Sequence, residues 1–406
     1  MNPAGERPRE GAALMDGPTW AVGLVGVIAF LSLYATQPLL PLFQKAFQAS
    51  KLEVSLTVSV ATLAVALVAP WVGAMADVLG RKRVIVPGIY LLGLTGLLTA
   101  TSPGLKTLLW WRFLQGFFTP AVFAVTVAYI NEEWPGERAG FATSVYVTGT
   151  VVGGFLGRFL TSQIAEIWGW RWAFAVLGAL TLALAPAVSA GLPLAKKFRR
   201  QGGFLDSLRS IPRHLANPAL LAVYAVGFCV LFTLVGTFTY VTFHLAAAPY
   251  FLGTSLLGSI FFVYLIGAVI TPLFGRWASH LPPRWAIAGS LLVSALGVGL
   301  TLAPPLGLVI AGVALCASGV FAAQVVANSR IGRVAVGNQA SAVGLYVSFY
   351  YFGGFVGSVA PGLLWDRGGW PACVAMISSV VAAAALFAVF TWKSKEAPGT
   401  VPAEGV

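Results

Sequence analysis

Gly73-Ala-Met-Ala-Asp77-Val-Leu-Gly80-Arg81-Lys82-Arg83 joins two long apolar runs, Leu52–Ala76 and Val84–Ala100. A helix that crosses about 30 Å of hydrocarbon needs roughly 20 predominantly apolar residues, and each run approaches or exceeds that length. The short link between them is a tight turn, for which Gly80 supplies backbone freedom, while Gly73 permits close helix approach. Asp77 falls at the end of an apolar run beside a basic cluster, where it can pair with Arg or cap a helix N-terminus. Such a group is a latch that forms in one conformation and breaks in another. The alternative is a turn flanked by topology-setting bases, with no moving part.

Ten further apolar runs extend the pattern outward, at Thr19–Leu42, Leu105–Ile130, Ala139–Ile164, Trp170–Leu192, Pro218–Leu245, Thr254–Trp277, Trp285–Ala303, Leu306–Ser329, Gln339–Trp365 and Pro371–Trp392. They are too long and too evenly apolar for β-barrel strands, and helices otherwise satisfy their own backbone in lipid. The expected fold is therefore an all-α membrane protein of twelve transmembrane helices. The first run is long enough to span and follows a segment of mixed charge, so it reads as a retained helix rather than a cleaved signal. Only 9% of the 406 residues are charged, against about 25% in soluble domains. That excludes an ordinary soluble domain, and the high apolar content excludes disorder.

Net charge is +12, from 25 Lys and Arg against 13 Asp and Glu. On a soluble chain this surplus would suggest nucleic acid; in a membrane protein it is first a topology signal. With the N-terminus in the cytoplasm, one side holds Arg7, Arg9, Arg81, Lys82, Arg83, Arg138, Lys196, Lys197, Arg199, Arg200, Arg209, Arg213, Arg276, Arg284, Arg330, Arg333, Lys393 and Lys395. The other holds Lys45, Lys51, Lys106, Arg171 and Arg367. Both termini are therefore expected in the cytoplasm. The basic loop 193–217 divides an N-terminal bundle (1–192) from a C-terminal one (218–406). Within it Phe204, Leu208, Ile211 and Leu215 share a helical face, as in a short helix on the membrane surface; a solvated linker is the plain alternative. Cys229, Cys316 and Cys373 sit in apolar runs and the three histidines are scattered. No metal site, disulfide framework or nucleophile triad is indicated.

The halves repeat at an offset of 200. Ala142, Tyr146, Val147, Gly153, Gly154, Phe155, Gly157, Gly169 and Trp170 recur identically as Ala342, Tyr346, Val347, Gly353, Gly354, Phe355, Gly357, Gly369 and Trp370. Two parallel six-helix repeats are the signature of a transporter architecture with its solute site between the repeats.

The loop at 73–83 resembles the cytoplasmic signature of the major facilitator superfamily, with Gly, Asp, Gly and the basic pair at the family spacing. Its second-half counterpart, Gly275 to Arg284, is degenerate: Ser279 stands in place of the acid. Leu109-Trp-Trp-Arg112-Phe-Leu-Gln115-Gly116 resembles the family's Arg motif, which implies a link to proton coupling; a snorkelling Arg is the alternative. Gly149-Thr-Val-Val-Gly153-Gly154-Phe-Leu-Gly157-Arg158 is similar to the antiporter motif of exporters. There, Gly154 replaces the motif's proline and Arg158 its last glycine. Gly149, Gly153 and Gly157 form a stripe suited to close helix packing, with Gly154 beside it. Tyr34-Ala-Thr-Gln37-Pro-Leu-Leu-Pro41, Tyr129-Ile-Asn131-Glu132-Glu133, Gly169-Trp-Arg171-Trp and Gln339 to Tyr351 narrow the resemblance to the YnfM-like group within the drug/proton antiporter-like exporters. The resemblance implies a bacterial inner-membrane, multi-pass monomer that exports a small molecule by alternating access. It needs no cofactor, uses the proton as coupling ion and binds no nucleic acid. The alternatives are an uptake or diffusion carrier for an organic anion or sugar, or a transport-inactive sensor.

Candidate coupling and gating groups are Asp77, Gly73, Gly80, Arg81, Arg83, Glu132, Glu133 and Arg138. The acids either carry the proton or form gating salt bridges with Arg81, Arg138 or Arg330. An Arg at the bilayer centre costs roughly 2.5–3.5 kcal/mol on insertion scales, so Arg112 and Arg158 are candidate cavity residues, together with Tyr34, Gln37 and Gln115. No Asp or Glu lies in the interior of any run, Glu53 standing at the edge of one. The pair therefore either favours anionic or neutral polar solutes or bonds to carbonyls and holds helices together. Tyr240, Asn328, Tyr346 and Tyr350 are further candidates for the lining, beside Phe118, Phe232, Gln324 and Tyr351.

Overall fold

A computed structural model describes residues 17–134, 137–193, 211–266, 269, 273–274, 280–335 and 339–392. Among these, the chain is helical with no strand. The N-terminal half contains α1 (Gly17–Leu31), α2 (Leu40–Phe47), α3 (Lys51–Leu79), α4 (Arg81–Ala100), α5 (Leu105–Glu133), α6 (Glu137–Trp168) and α7 (Trp170–Gly191). The C-terminal half contains α8 (Pro218–Ala246), α9 (Thr254–Ser259), α10 (Pro283–Leu300), α11 (Leu306–Val334) and α12 (Gln339–Thr391). Nine helices among the described residues are long and apolar enough to cross a membrane. One of them, α12, has 53 residues and would run about 80 Å if straight. It breaks into two arms at Gly368 and Gly369, where φ is −151° and +58°. The runs expected at Gln339–Trp365 and Pro371–Trp392 are these two arms.

The run expected at Thr19–Leu42 is corrected. It does not continue as one helix: α1 stops at Leu31, a turn follows, and a 3-10 turn at Gln37–Leu39 leads into α2. Pro38 and Pro41 explain the break, because each lacks an N–H and disfavours helix in the residue before it. The backbone crosses the gap on short-range bonds from Ala35 N–H to Ser32 O, Gln37 N–H to Tyr34 O and Leu39 N–H to Thr36 O. The run from Thr254 is an apolar helix to Ile266, and its remainder lies partly outside the described residues. So do 194–210, which include Phe204 and Leu208 of the expected surface helix. Residues 211–215 are helical, with Ile211 packed on the core.

Helix starts follow local chemistry. Ser50 and Glu53 form a capping box on α3, with Ser50 N–H donating to Glu53 Oε2 at 2.7 Å and Glu53 N–H to Ser50 Oγ at 3.1 Å. This accounts for Glu53 at the edge of an apolar run. Asn217 caps α8, which Pro218 opens.

The repeat carries the packing. A Cβ on Gly149, Gly153 or Gly157 would lie 2.2, 2.2 or 1.7 Å from the carbonyl oxygens of Gly23, Val27 or Leu31. The expected stripe is thus the seat of α1 on α6. In the second half, a Cβ on Gly353 or Gly357 would lie 2.0 or 2.4 Å from the carbonyl oxygens of Phe228 or Phe232 on α8. The same register recurs within one residue. Gly154 departs from the stripe: it faces Arg158 Nη1 at 3.4 Å rather than a neighbouring backbone.

Candidate functional site

The broken segment 32–37 lies between the two buried arginines and serves each differently. Its carbonyls face Arg112. Arg112 Nη1 donates to Ser32 O at 2.8 Å and Nε to Thr57 O at 3.1 Å, while Nη2 donates to Leu33 O and Nη1 also to Gln115 Oε1. A helix that stops short leaves carbonyls without helical partners; Arg112 donates to Leu33 O and adds a second bond to Ser32 O. Gln115 Nε2 donates onward to Thr99 Oγ1 at 3.5 Å. Arg112 and Gln115 are fully buried and bonded to the protein itself, fastening α1, α3, α4 and α5.

The side chains of the same segment meet Arg158. Its Nε donates to Gln37 Oε1 at 2.8 Å and its Nη1 to Gly154 O at 2.5 Å. Its guanidinium carbon lies 4.7 Å from the Tyr34 ring, 4.5 Å from Tyr264 and 5.0 Å from Phe261. Tyr264 and Phe261 belong to the C-terminal half, so this arginine spans both halves. Arg158 is only 2% exposed, and no carboxylate pairs with it among the described residues. Nη2 makes no hydrogen bond among the described residues, and it is not among the sealed polar atoms left without a partner. The hydroxyls of Tyr34, Tyr264, Tyr350 and Tyr351 share that condition. Tyr346 and Tyr350 stack at 5.9 Å, and Tyr350 meets Tyr351 edge-on at 5.4 Å. Both Tyr350 and Tyr351 interact electrostatically with Tyr34. One cation and several phenols therefore converge where the halves meet.

Of the other expected lining residues, Tyr346 reaches the cluster only through its stack on Tyr350. Tyr240 is committed to the protein, donating to Ser358 O at 2.8 Å and Ser55 Oγ at 3.2 Å. Asn328 is exposed on α11. Tyr346 OH and Gln324 Oε1 are buried without partners. Sequence reading missed Phe261 and Tyr264, because nothing in an aromatic-rich run marks which rings will meet an arginine more than 100 positions away in the chain.

Around this cluster the halves are joined by a polar seam. Gln37 Nε2 donates to Thr239 Oγ1 at 3.3 Å, and Ser59 and Ser358 share a hydroxyl bond of 2.6 Å. Ser255 donates through Oγ to Gln163 Oε1 at 2.6 Å and through N–H to Glu166 Oε2 at 3.3 Å. Lys51 Nζ stands 5.3 Å over the Trp365 ring. These contacts sit on the side of the molecule away from the 73–83 turn.

At that turn, Arg81 gathers the expected latch. Its Nη2 lies 2.5 Å from Asp77 Oδ1 and 2.6 Å from Glu132 Oε1, its Nε reaches both Glu132 oxygens, and its Nη1 donates to Gly73 O at 3.4 Å. Gly80 has φ of +94°, a conformation that favours glycine. The close helix approach expected at Gly73 is absent among the described residues, since a Cβ there would meet nothing within 4 Å; its carbonyl is the part in use. Arg83 and Arg138 are exposed and Glu133 is half-buried. On the second half, 275–279 lie outside the described residues.

Two repeated helical halves, a polar cluster on the plane between them and an ion-paired Arg81 cluster at one end fit a multi-pass membrane transporter. Comparison with known proteins places it further. The family model described as Major Facilitator Superfamily matches residues 22–267 and 251–405, and the chain belongs to that superfamily. An uncharacterized transporter of Buchnera aphidicola (Schizaphis graminum) is 30% identical over 90% of this chain and 88% of its own length. The uncharacterized MFS-type transporter YybF of Bacillus subtilis is 28% identical over 96% and 97%. The inner membrane transport protein YnfM of Escherichia coli K12 is 29% identical over 91% and 88%, in line with the resemblance to its group. The fold matches a solved bacterial homologue of the human lysosomal transporter Spinster with a TM-score of 0.72 over 95% of this chain and 96% of that one, at 15% identity.

Proposed function

We propose that this protein is a secondary active transporter that exports a small solute across the bacterial cytoplasmic membrane, coupled to protons. The single observation that supports alternating access is the polar contact between two repeated halves. The polar seam and the Arg158 cluster join the halves away from the 73–83 turn. Lysine and arginine excess assigns the turn to the cytoplasm, so both termini are cytoplasmic and the seam closes the outer face. Opening of the seam and closing of the opposite side, by rocking of the halves, would expose the same cluster outward. Asp77 and Glu132, both bonded to Arg81, are the groups we assign to gating, and they are the acids whose protonation would release the latch. Export rests on the group resemblance. The protein works as a monomer and needs no bound cofactor.

A proteoliposome flux screen of labelled organic anions, sugars and cationic dyes, run with and without a pH gradient, tests this reading. Saturable counterflow of any one class supports a carrier, and acceleration by a proton gradient directed against the solute supports antiport. Ligand binding without counterflow would identify a sensor instead.

A further inference from the structure

Arg158 is buried, basic and without a matching acid among the described residues. A guanidinium has five N–H groups. One is spent on Gln37 and one on Gly154 O, which leaves three. Nη2 carries two of these and is not sealed in. The rings of Tyr34, Tyr264 and Phe261 lie within 5.0 Å of the guanidinium carbon. Cation–π contact offsets part of the lost hydration, but the rings bring no negative charge. A buried cation with unused N–H groups on both Nη1 and Nη2 can receive an anion, and a carboxylate meets such a pair with two parallel hydrogen bonds. Arg112 offers the contrast within the same protein: backbone carbonyls and Gln115 Oε1 occupy Nε, Nη1 and Nη2 alike.

The surroundings narrow the ligand further. The hydroxyls of Tyr34, Tyr264, Tyr350 and Tyr351 make no hydrogen bond among the described residues and are likewise not sealed in. Their rings and the Tyr346–Tyr350 stack, at 5.9 Å, form flat aromatic walls. Such walls favour a planar apolar body, and phenols add hydrogen bonds to a second acceptor on it. We propose that the Arg158 cluster is the solute site of this transporter, and that it takes organic carboxylates with an aromatic body, the carboxylate on Arg158 and the ring among the tyrosines. This rests on the reading as a carrier. It also ties the ligand to the seam, since Arg158 contacts rings of both halves and Gln37 bonds both Arg158 and Thr239.

The test uses the full chain purified in detergent. Benzoate and phenylacetate are titrated by intrinsic tryptophan fluorescence and thermal shift, against benzamide, phenylacetamide and tetraphenylphosphonium. The expected result is saturable binding of a carboxylate, weaker by at least about tenfold for its amide. Arg158→Gln is expected to abolish that discrimination while remaining monodisperse, and Arg158→Lys to keep part of it. A merely structural arginine would lower stability in the variant without changing carboxylate-over-amide selectivity. The proposal is overturned if neither carboxylate binds saturably, if the amides or the cation bind as well as the carboxylates, or if Arg158→Gln keeps the preference. The carboxylate–amide comparison needs only the unmodified chain, so it decides the matter even where the variant does not fold. Carboxylate binding without counterflow in proteoliposomes would retain this site and remove the carrier reading. Counterflow of sugars or cations without carboxylate binding would do the reverse.

Discussion

Arg112 and Arg158 flank the same broken segment, and their hydrogen bonds separate their roles. Both are long, basic and set among apolar residues, so the sequence could rank neither above the other. The difference arises from what lies opposite: three backbone carbonyls and an amide for Arg112, three rings and an open edge for Arg158. Each buried acceptor left without a donor costs about 1–3 kcal/mol. Arg112→Ala strands Leu33 O and Gln115 Oε1 and removes a second bond from Ser32 O and Thr57 O, which keep their backbone donors. We expect it to lower the thermal midpoint in detergent steeply, with Arg112→Lys restoring only part, because a lysine lacks the planar fork. A midpoint that stays at the parental value in Arg112→Ala would show that these carbonyls find other donors.

Among elements, the α1–α6 contact leaves no room for a side chain at its glycines. Its glycines were legible in the sequence as a stripe at i, i+4 and i+8, because only glycine lets two helix backbones approach so closely. What the stripe packs on was not legible, nor that Gly154 beside it belongs to Arg158. Gly157→Ala places a methyl against Leu31 O at 1.7 Å. Overpacking of this kind costs about 1–3 kcal/mol, so we expect a reduced yield of monodisperse protein. Gly154→Ala, whose nearest neighbour stands at 3.4 Å, should accumulate like the parent. Equal yields for both, measured by size-exclusion of detergent extracts, would remove the stripe from the packing argument. The break in α1 was partly readable from Pro38 and Pro41. Its function as the scaffold of both arginine sites depends on α5 and α6, which the local sequence does not specify.

At the scale of the whole molecule, the two ends of the interface should behave oppositely. Ser59→Cys with Ser358→Cys, in a chain whose three native cysteines are replaced, puts two thiols where hydroxyls now lie 2.6 Å apart. Oxidation should lock the seam and stop flux, and reduction should restore it. Undiminished flux in the fully oxidised pair would mean that this end never opens. At the other end, Asp77→Asn removes one of two acids that share Arg81. We expect flux to fall at least about tenfold, the equivalent of about 1.4 kcal/mol, with expression and monodispersity intact. An unchanged rate would take Asp77 out of the cycle.

The amino-acid sequence by itself determined the class of structure, because a chain with 9% charge has few ways to satisfy its backbone in lipid other than helices. It also determined the repeat, the glycine stripe and a short set of candidate gating charges around Asp77, since each depends on local spacing or on residue types with few roles; that Arg81 pairs with Asp77 and Glu132 came from the structure. Only the tertiary structure decided which buried charges are spent and which is open. That distinction depends on carbonyls, rings and amides brought together from both halves of the chain. A guanidinium's partners are set by distances in space, and no periodicity in the chain encodes them.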